Sequence, residues 1–280
     1  MKPLFLLLLL SQVAFGAMPV PTVPQFNKVV WIWLENTPDS IMANERYILN
    51  LEYYYPSVRF THMKAVSEVA QANTMAMISG SDYGIHDNEM VKMYAPTIIN
   101  LLQAKGVSWK VYAEQYPGAC YLSAGTGDYQ RSRVPFLSLP AIQNDRFLCA
   151  KVVGFEFLYD EIKLGILPQL SIVIPSLSGS GATNGMVAAE NTLRTIVDPI
   201  FLNADGLSQT TIIISTTTNN DINNPELLTM ILGNGVSGYG LTNDQEYNHY
   251  HLLRTIEDGF NLGQLKQNDS KVDPMLGFWK

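Results

Sequence analysis

Basic residues are scarce in this chain: 18 Lys and Arg stand against 25 Asp and Glu, for a formal net charge of -7 and a pI near 5.1. That balance excludes nucleic acid as a partner, because neutralising phosphates takes clustered Lys and Arg. The nearest thing to a cluster is Arg131 and Arg133 in "YQRSR", which reads as a solvated loop. Cysteine is scarcer still, with only Cys120 and Cys149. With no close pair and no further ligands beside them, a metal or redox role for these cysteines is set aside. Past the first residues no run of about 18 apolar residues occurs, so no transmembrane segment is expected. An internal repeat, a Pro/Ser-rich linker and a tract of disordered composition are all missing too, and residues 17–280 are read as one domain.

What is present begins with "MKPLFLLLLLSQVAFGA". Lys2, a leucine run from Leu4 to Leu10 and small residues after it have the form of a secretory signal peptide, with cleavage expected after Gly16. Residues 1–16 are therefore set apart from the fold, and the mature protein is expected to be secreted and extracellular. In that compartment a Cys120–Cys149 disulfide is the default. Closing a loop of about 30 residues would contribute roughly 3 to 4 kcal/mol on the chain-entropy model. Asn268, in "NDS", is a candidate glycosylation acceptor.

Five stretches carry strand signals: "KVVWIWL", "VSWKVYA", "LSIVIP", "TTIIIST" and "LLTMILG". They are continuous apolar runs rich in β-branched and aromatic residues, as expected of strands covered on both faces. Between them, "APTIINLLQAKG" and "GFEFLYDEIKLG" have helical spacing and a closing glycine, and "AAENTLRTIVDPIF" should run until Pro199 stops it. The alternation predicts an α/β fold, a mostly parallel central sheet with helices on both faces.

In such sheets ligands bind past the carboxyl ends of the strands. Glu35 and Asn36 follow the first strand, where a carboxylate beside an amide oxygen could hold a hard divalent cation. Thr37 as N-cap and Pro38 at the first helical position would account for the turn itself. "KAVSEVAQANTMAMISGSDYGIHDN" suggests a loop feeding a tightly packed helix, with Asn73 facing a pocket. His249 and His251, two residues apart at a helix start, point to different sides and do not share a metal. "TTIIISTTTNND" places Thr217 and Thr218 at a strand's carboxyl end, where reacting groups are expected and neither an acid nor a base is found.

Together "VVWIWLEN", "NTMAMISGSDYGIHD", "TIINLLQAKGVSWKVYAE", "YQRSRVPF", "FLCAKVV" and "HYHLLRTIEDGFNLGQL" resemble the phosphoesterase family of acid phosphatases and phospholipase-C-like enzymes, within the alkaline phosphatase superfamily. The likeness runs from Lys28 to about Asp269. It implies an alkaline-phosphatase-like sandwich in which a bound divalent metal activates a Ser or Thr hydroxyl for attack on phosphorus. The family's Glu-Asn metal pair is similar to Glu35 and Asn36, its asparagine past the nucleophile to Asn73, and its histidine before the last helix to His249. Its nucleophile falls on Ala70. Its Asp-Gly-His-Asp segment corresponds to a stretch with Ser180, Ala182 and Thr183, and its later acidic pair to Thr217 and Thr218.

A methyl group cannot attack phosphorus, and neutral hydroxyls are poor ligands for a divalent cation. The resemblance therefore implies a secreted pseudo-phosphatase with a binding or structural role, its ligand or protein partner and oligomeric state unspecified, and no cofactor. Two alternatives stand beside it. One is an active metal-dependent acid phosphatase hydrolysing phosphate esters; the other is a rebuilt hydrolytic site pairing Ser67 or Thr74 with His249. The first two part company at one place: Glu35, Asn36, Asn73 and His249 should surround one crevice, and activity needs an acid and a hydroxyl within reach of them.

Overall fold

The computed structural model describes residues 24–280 apart from 184, 204–205, 221–222 and 224. The expected signal peptide, residues 1–16, lies outside the described residues. Among the described residues ten strands occur in chain order: β1 Lys28–Leu34, β2 Ser57–Lys64, β3 Trp109–Ala113, β4 Gly125–Thr126, β5 Tyr129–Gln130, β6 Val152–Val153, β7 Leu170–Ile174, β8 Thr210–Thr216, β9 Thr229–Gly233 and β10 Leu241–Asn248. Eight form one sheet in the order β10-β2-β9-β8-β1-β7-β3-β6, and β4 with β5 make a small hairpin. All neighbours in the large sheet pair in parallel except at β9, which is antiparallel to both β2 and β8.

The apolar runs have a direct physical explanation. Successive side chains of a strand point to opposite faces, so a strand covered on both sides has no polar positions to spare. In β1, Val29, Trp31 and Trp33 enter one hydrophobic core, while Val30, Ile32 and Leu34 enter a second on the other face. The first core takes Met75, Ile98, Leu102, Leu252 and Ile256, from the helices Ala70–Ser79, Ile98–Lys105 and His249–Gly259. The second takes Ile48, Leu158, Leu193 and Val197, from Arg46–Tyr54, Phe155–Leu164 and Gly185–Leu202. Helices thus cover both faces of a mostly parallel sheet.

Three expectations are corrected, and two strands, β2 and β10, were not expected. β9 was grouped with the parallel strands, but parallel neighbours need a crossover of a dozen or more residues, usually helical, and no helix lies between β8 and β9 among the described residues. β2 and β10 carry no continuous apolar run. β10 is an edge strand, half in solvent, with the polar sequence LTNDQEYN. Pro199 lies inside the helix Gly185–Leu202 rather than ending it. A proline near a helix end forfeits only one late hydrogen bond, and the turn beyond it buries Ile200 and Phe201. Thr37 does not cap a helix, because the next one begins at Asp39. Its hydroxyl is instead buried against that of Thr216.

Candidate active-site crevice at the strand ends

The carboxyl ends of β1, β7 and β8 lie side by side, and the segments leaving them build the crevice. Glu35 and Asn36 leave β1. Asn36 has φ 52, a left-handed conformation that asparagine tolerates better than most residues. Its N–H donates to Thr218 O at 2.8 Å, and its Oδ1 accepts from Asn220 N at 3.2 Å. The segment leaving β7 folds back over β1, where Glu35 N donates to Ser180 O at 3.0 Å. Gly181 makes this approach feasible: its φ is +95, and a Cβ there would stand 2.9 Å from Glu35 O.

Beyond β8 the threonines are all engaged. Thr216 bonds the hydroxyl of Thr37 and donates to Thr37 O at 3.1 Å. Thr217 Oγ1 donates to Leu34 O at 3.2 Å, and Thr218 Oγ1 lies 3.5 Å from Glu68 O, a weak bond. All three are buried, so they act as clips that hold the β1 and β2 exits against β8. Thr217 and Thr218 follow the last residue of β8, with their hydroxyls turned to main-chain oxygens.

Ala70 is the first residue of a helix whose ten residues are all buried, and a methyl stands where the resemblance puts the nucleophile. The adjacent free N–H, that of Gln71, is taken by Asn88 Oδ1 at 3.1 Å. Asn73 turns back on the preceding loop. It accepts from Val66 N at 3.1 Å and Ser67 N at 2.8 Å, and donates to Ser67 O at 2.7 Å. Ser67 Oγ accepts from Val69 N at 3.1 Å, and Thr74 Oγ1 donates to Gln71 O at 3.0 Å.

His249 is fully buried and donates from Nε2 to Thr216 O at 3.1 Å. Its Nδ1 has no hydrogen-bond partner among the described residues. Burial is the main reason its pKa falls to about 4; the bond to Thr216 opposes the fall. His251 stays half-buried and completes a capping box with Asn248, so the two histidines do point to different surroundings. Of the remaining positions, Ser180 is buried and donates to Leu177 O at 3.2 Å, while Ala182 is half-buried and Thr183 exposed. Asn268 donates from Nδ2 to Gly80 O at 3.0 Å.

Of the four, Asn36 and His249 bond main-chain oxygens of the Thr216–Thr218 segment, Glu35 stands next to Asn36 and turns its side chain to Arg133, and Asn73 bonds only the Val66–Ser67 turn; none of the four hydrogen-bonds another among the described residues. The implied divalent metal was tested against the donors present. No group of three His, Cys, Asp or Glu side chains able to hold a metal occurs among the described residues. The carboxylate best placed for one already has a cation: Arg133 Nε lies 2.7 Å from Glu35 Oε2, a close charge contact whose angle falls short of a hydrogen bond. The described residues do not fit the metal.

Arg133 is the residue that sequence reasoning missed. Arg131 and Arg133 are not a solvated loop, since both are buried in a short 3-10 turn. Arg131 Nη1 donates to Leu137 O and Arg133 Nη1 to Pro175 O, each at 3.0 Å. The available signal was the company they keep: "YQRSRVPF" sets them among Tyr129, Val134 and Phe136, all of them core residues. The Cys120–Cys149 disulfide is present, with Cα atoms 5.7 Å apart. No helix among the described residues is long and apolar enough to cross a membrane.

Sequence comparison bears on what this arrangement descends from. The chain is 22% identical over 264 residues to a phosphate-repressible acid phosphatase of Penicillium chrysogenum, and 24% identical over 267 residues to an acid phosphatase of Aspergillus niger. Each alignment takes in 91% of this chain but only 61% and 60% of the relative, respectively, so the chain spans about three-fifths of their length. In fold it is similar to a protein in the alkaline phosphatase superfamily from Vibrio parahaemolyticus, with a TM-score of 0.61 at 10% identity over 90% of this chain and 71% of that one. The phosphoesterase family profile matches residues 59–221, more than half of the sequence, and the chain belongs to that family.

Proposed function

We propose that this protein is a secreted, catalytically inactive member of the phosphoesterase family, a pseudo-phosphatase whose retained sandwich serves a binding or structural role. One observation carries it: each side chain that matches the family's machinery is committed to a protein partner. Glu35 faces Arg133, Asn36 accepts from Asn220, Asn73 holds the turn at Val66 and Ser67, and His249 bonds Thr216. Phosphoester hydrolysis of this type needs a nucleophile, a group to activate it and charge to stabilise the phosphoryl oxygens. Here the nucleophile position is Ala70, and the hydroxyls of Thr217 and Thr218 are spent on main-chain oxygens.

The names of the relatives favour a second function, that of an active metal-dependent acid phosphatase. It would require an acid and a hydroxyl free to reach Glu35. Pairing of His249 with Ser67 or Thr74 draws no support from their hydrogen bonds, which lead elsewhere. The deciding measurement is hydrolysis of a generic phosphomonoester by the purified protein with added Mg2+, Mn2+, Zn2+ or Ca2+. We expect no turnover above the buffer blank. Turnover that disappears in Glu35→Ala would sink the non-catalytic proposal.

A further inference from the structure

We propose that Arg133 is the resident cation of the crevice, its guanidinium doing for Glu35 what a bound divalent ion would otherwise do, so that the folded protein needs and takes up no metal there. This deepens the non-catalytic function proposed above.

A carboxylate at the end of a buried strand must be hydrated, neutralised or paired. Glu35 is paired: Arg133 Nε stands 2.7 Å from Oε2, with side-chain exposures of 8% for Arg133 and 12% for Glu35. The arginine cannot easily move away. It sits in the turn Arg131–Arg133, buried, with Nη1 fixed on Pro175 O at 3.0 Å. Two further carboxylates act on its charge, Asp128 and Glu114, which together with Glu35 oppose the pull of burial on the guanidinium. Both also bind the β7 exit. Glu114 Oε2 accepts from Ser176 N at 2.8 Å, and Asp128 Oδ2 accepts from Ser178 N at 3.0 Å and from the Ser178 hydroxyl.

Arg133 thus ties the exits of β1 and β7 together, with the Glu114 carboxylate of the β3 exit near enough to act on its charge, a task suited to a multivalent cation. A guanidinium suits it too, being planar, always charged and supplied with several donors. Little space remains beside it. The cavity lined by Glu114, Asp128, Arg133 and Ser176 holds ≈10 Å³, at most the room of one water. One positive charge facing three negative ones also leaves no net attraction for a phosphate group.

The test uses thermal unfolding of the full mature protein. The wild type should show the same Tm in EDTA as in millimolar Mg2+, Ca2+, Mn2+ or Zn2+. Arg133→Met should lower Tm by on the order of 10 °C, because it strands a buried carboxylate. The double variant Arg133→Met with Glu35→Gln should recover at least half of that loss, since it removes both charges at once. A wild-type Tm that falls in EDTA or rises with a divalent ion overturns the proposal, and this measurement does not depend on any variant folding. A double variant no more stable than Arg133→Met also overturns it, by showing that Arg133 matters only through Pro175. Phosphomonoester turnover with these results intact would instead defeat the proposed function and leave the internal cation standing.

Discussion

Two buried titratable groups give the protein opposed responses to pH. His249 is neutral inside, with its pKa near 4, whereas a histidine in an unfolded chain titrates near 6.5. As pH falls from about 6.5 the unfolded chain takes a proton that the folded one refuses, so stability is lost down to about pH 4, on the order of 3 kcal/mol in all. Glu257 behaves in the reverse sense. It is fully buried, and burial, reinforced by the neighbouring Asp269 and opposed by Arg254 and the Leu265 backbone, raises its pKa to about 9. Its contribution is complete at low pH and is lost as pH rises from about 4.5, the unfolded value, through 9. Glu257→Gln should therefore raise Tm at pH 8 while leaving it unchanged at pH 4, and His249→Gln should flatten the loss between pH 6.5 and 4. Thermal melts of the three proteins across this range check both slopes; variants whose curves merely run parallel to the wild type would contradict the assignment. Neither response was legible in the sequence. A histidine or glutamate on an amphipathic helix looks the same whether it faces a partner or an apolar wall, and Arg133 was misread for the same reason, since its burial depends on β7 and β1, distant in the chain.

At the scale of elements, the disulfide is the clearest case of a sequence feature that also carries structure. It ties the stretch after β3 to the short helix Arg146–Cys149. That stretch holds two consecutive non-glycine residues in left-handed conformation, Ala119 and Cys120, at φ 50 and 55, each of which costs of order 1 kcal/mol and needs the surroundings to enforce it. Replacing both cysteines with alanine should cost about 3 to 4 kcal/mol and should open residues 116–124 first. Amide exchange and denaturant melts would show this; protection of that stretch equal to the wild type would contradict it. The elements buried on both faces were legible because each carries an apolar run: β1 and β8 were read with their ends in place, and β7 one residue too long, at Pro175. β2 alternates and β10 lies at an edge, so their polar residues masked them. The direction of β9 was illegible for another reason, because it follows from the missing crossover helix and not from the strand's own composition.

For the whole molecule, the fold and family were legible from several separated motifs in the right order, while the state of the site was legible only in part. The resemblance set Ala70, Thr217 and Thr218 against the family's reacting positions, but the surroundings of Glu35 could not be read, since Arg133, Glu114 and Asp128 come from segments that carried no such signal. A crevice with one guanidinium among three carboxylates repels anions as a unit. Inorganic phosphate at about 10 mM should thus leave Tm unchanged, whereas a ligand binding only the folded state would raise it; a phosphate-dependent rise would reveal a surviving anion site. The threonine segment has one more consequence, which concerns stability. Thr217 donates to Leu34 O and Thr218 weakly to Glu68 O, so an acid at either place would set a carboxylate against a carbonyl and remove a contact that now holds two strand exits together, a loss of about 1 to 3 kcal/mol at Thr217 and less at Thr218. An acid introduced at either place is then not neutral. It weakens the fold before any metal can bind, so the present arrangement maintains itself: stability alone opposes a metal site at these strand exits.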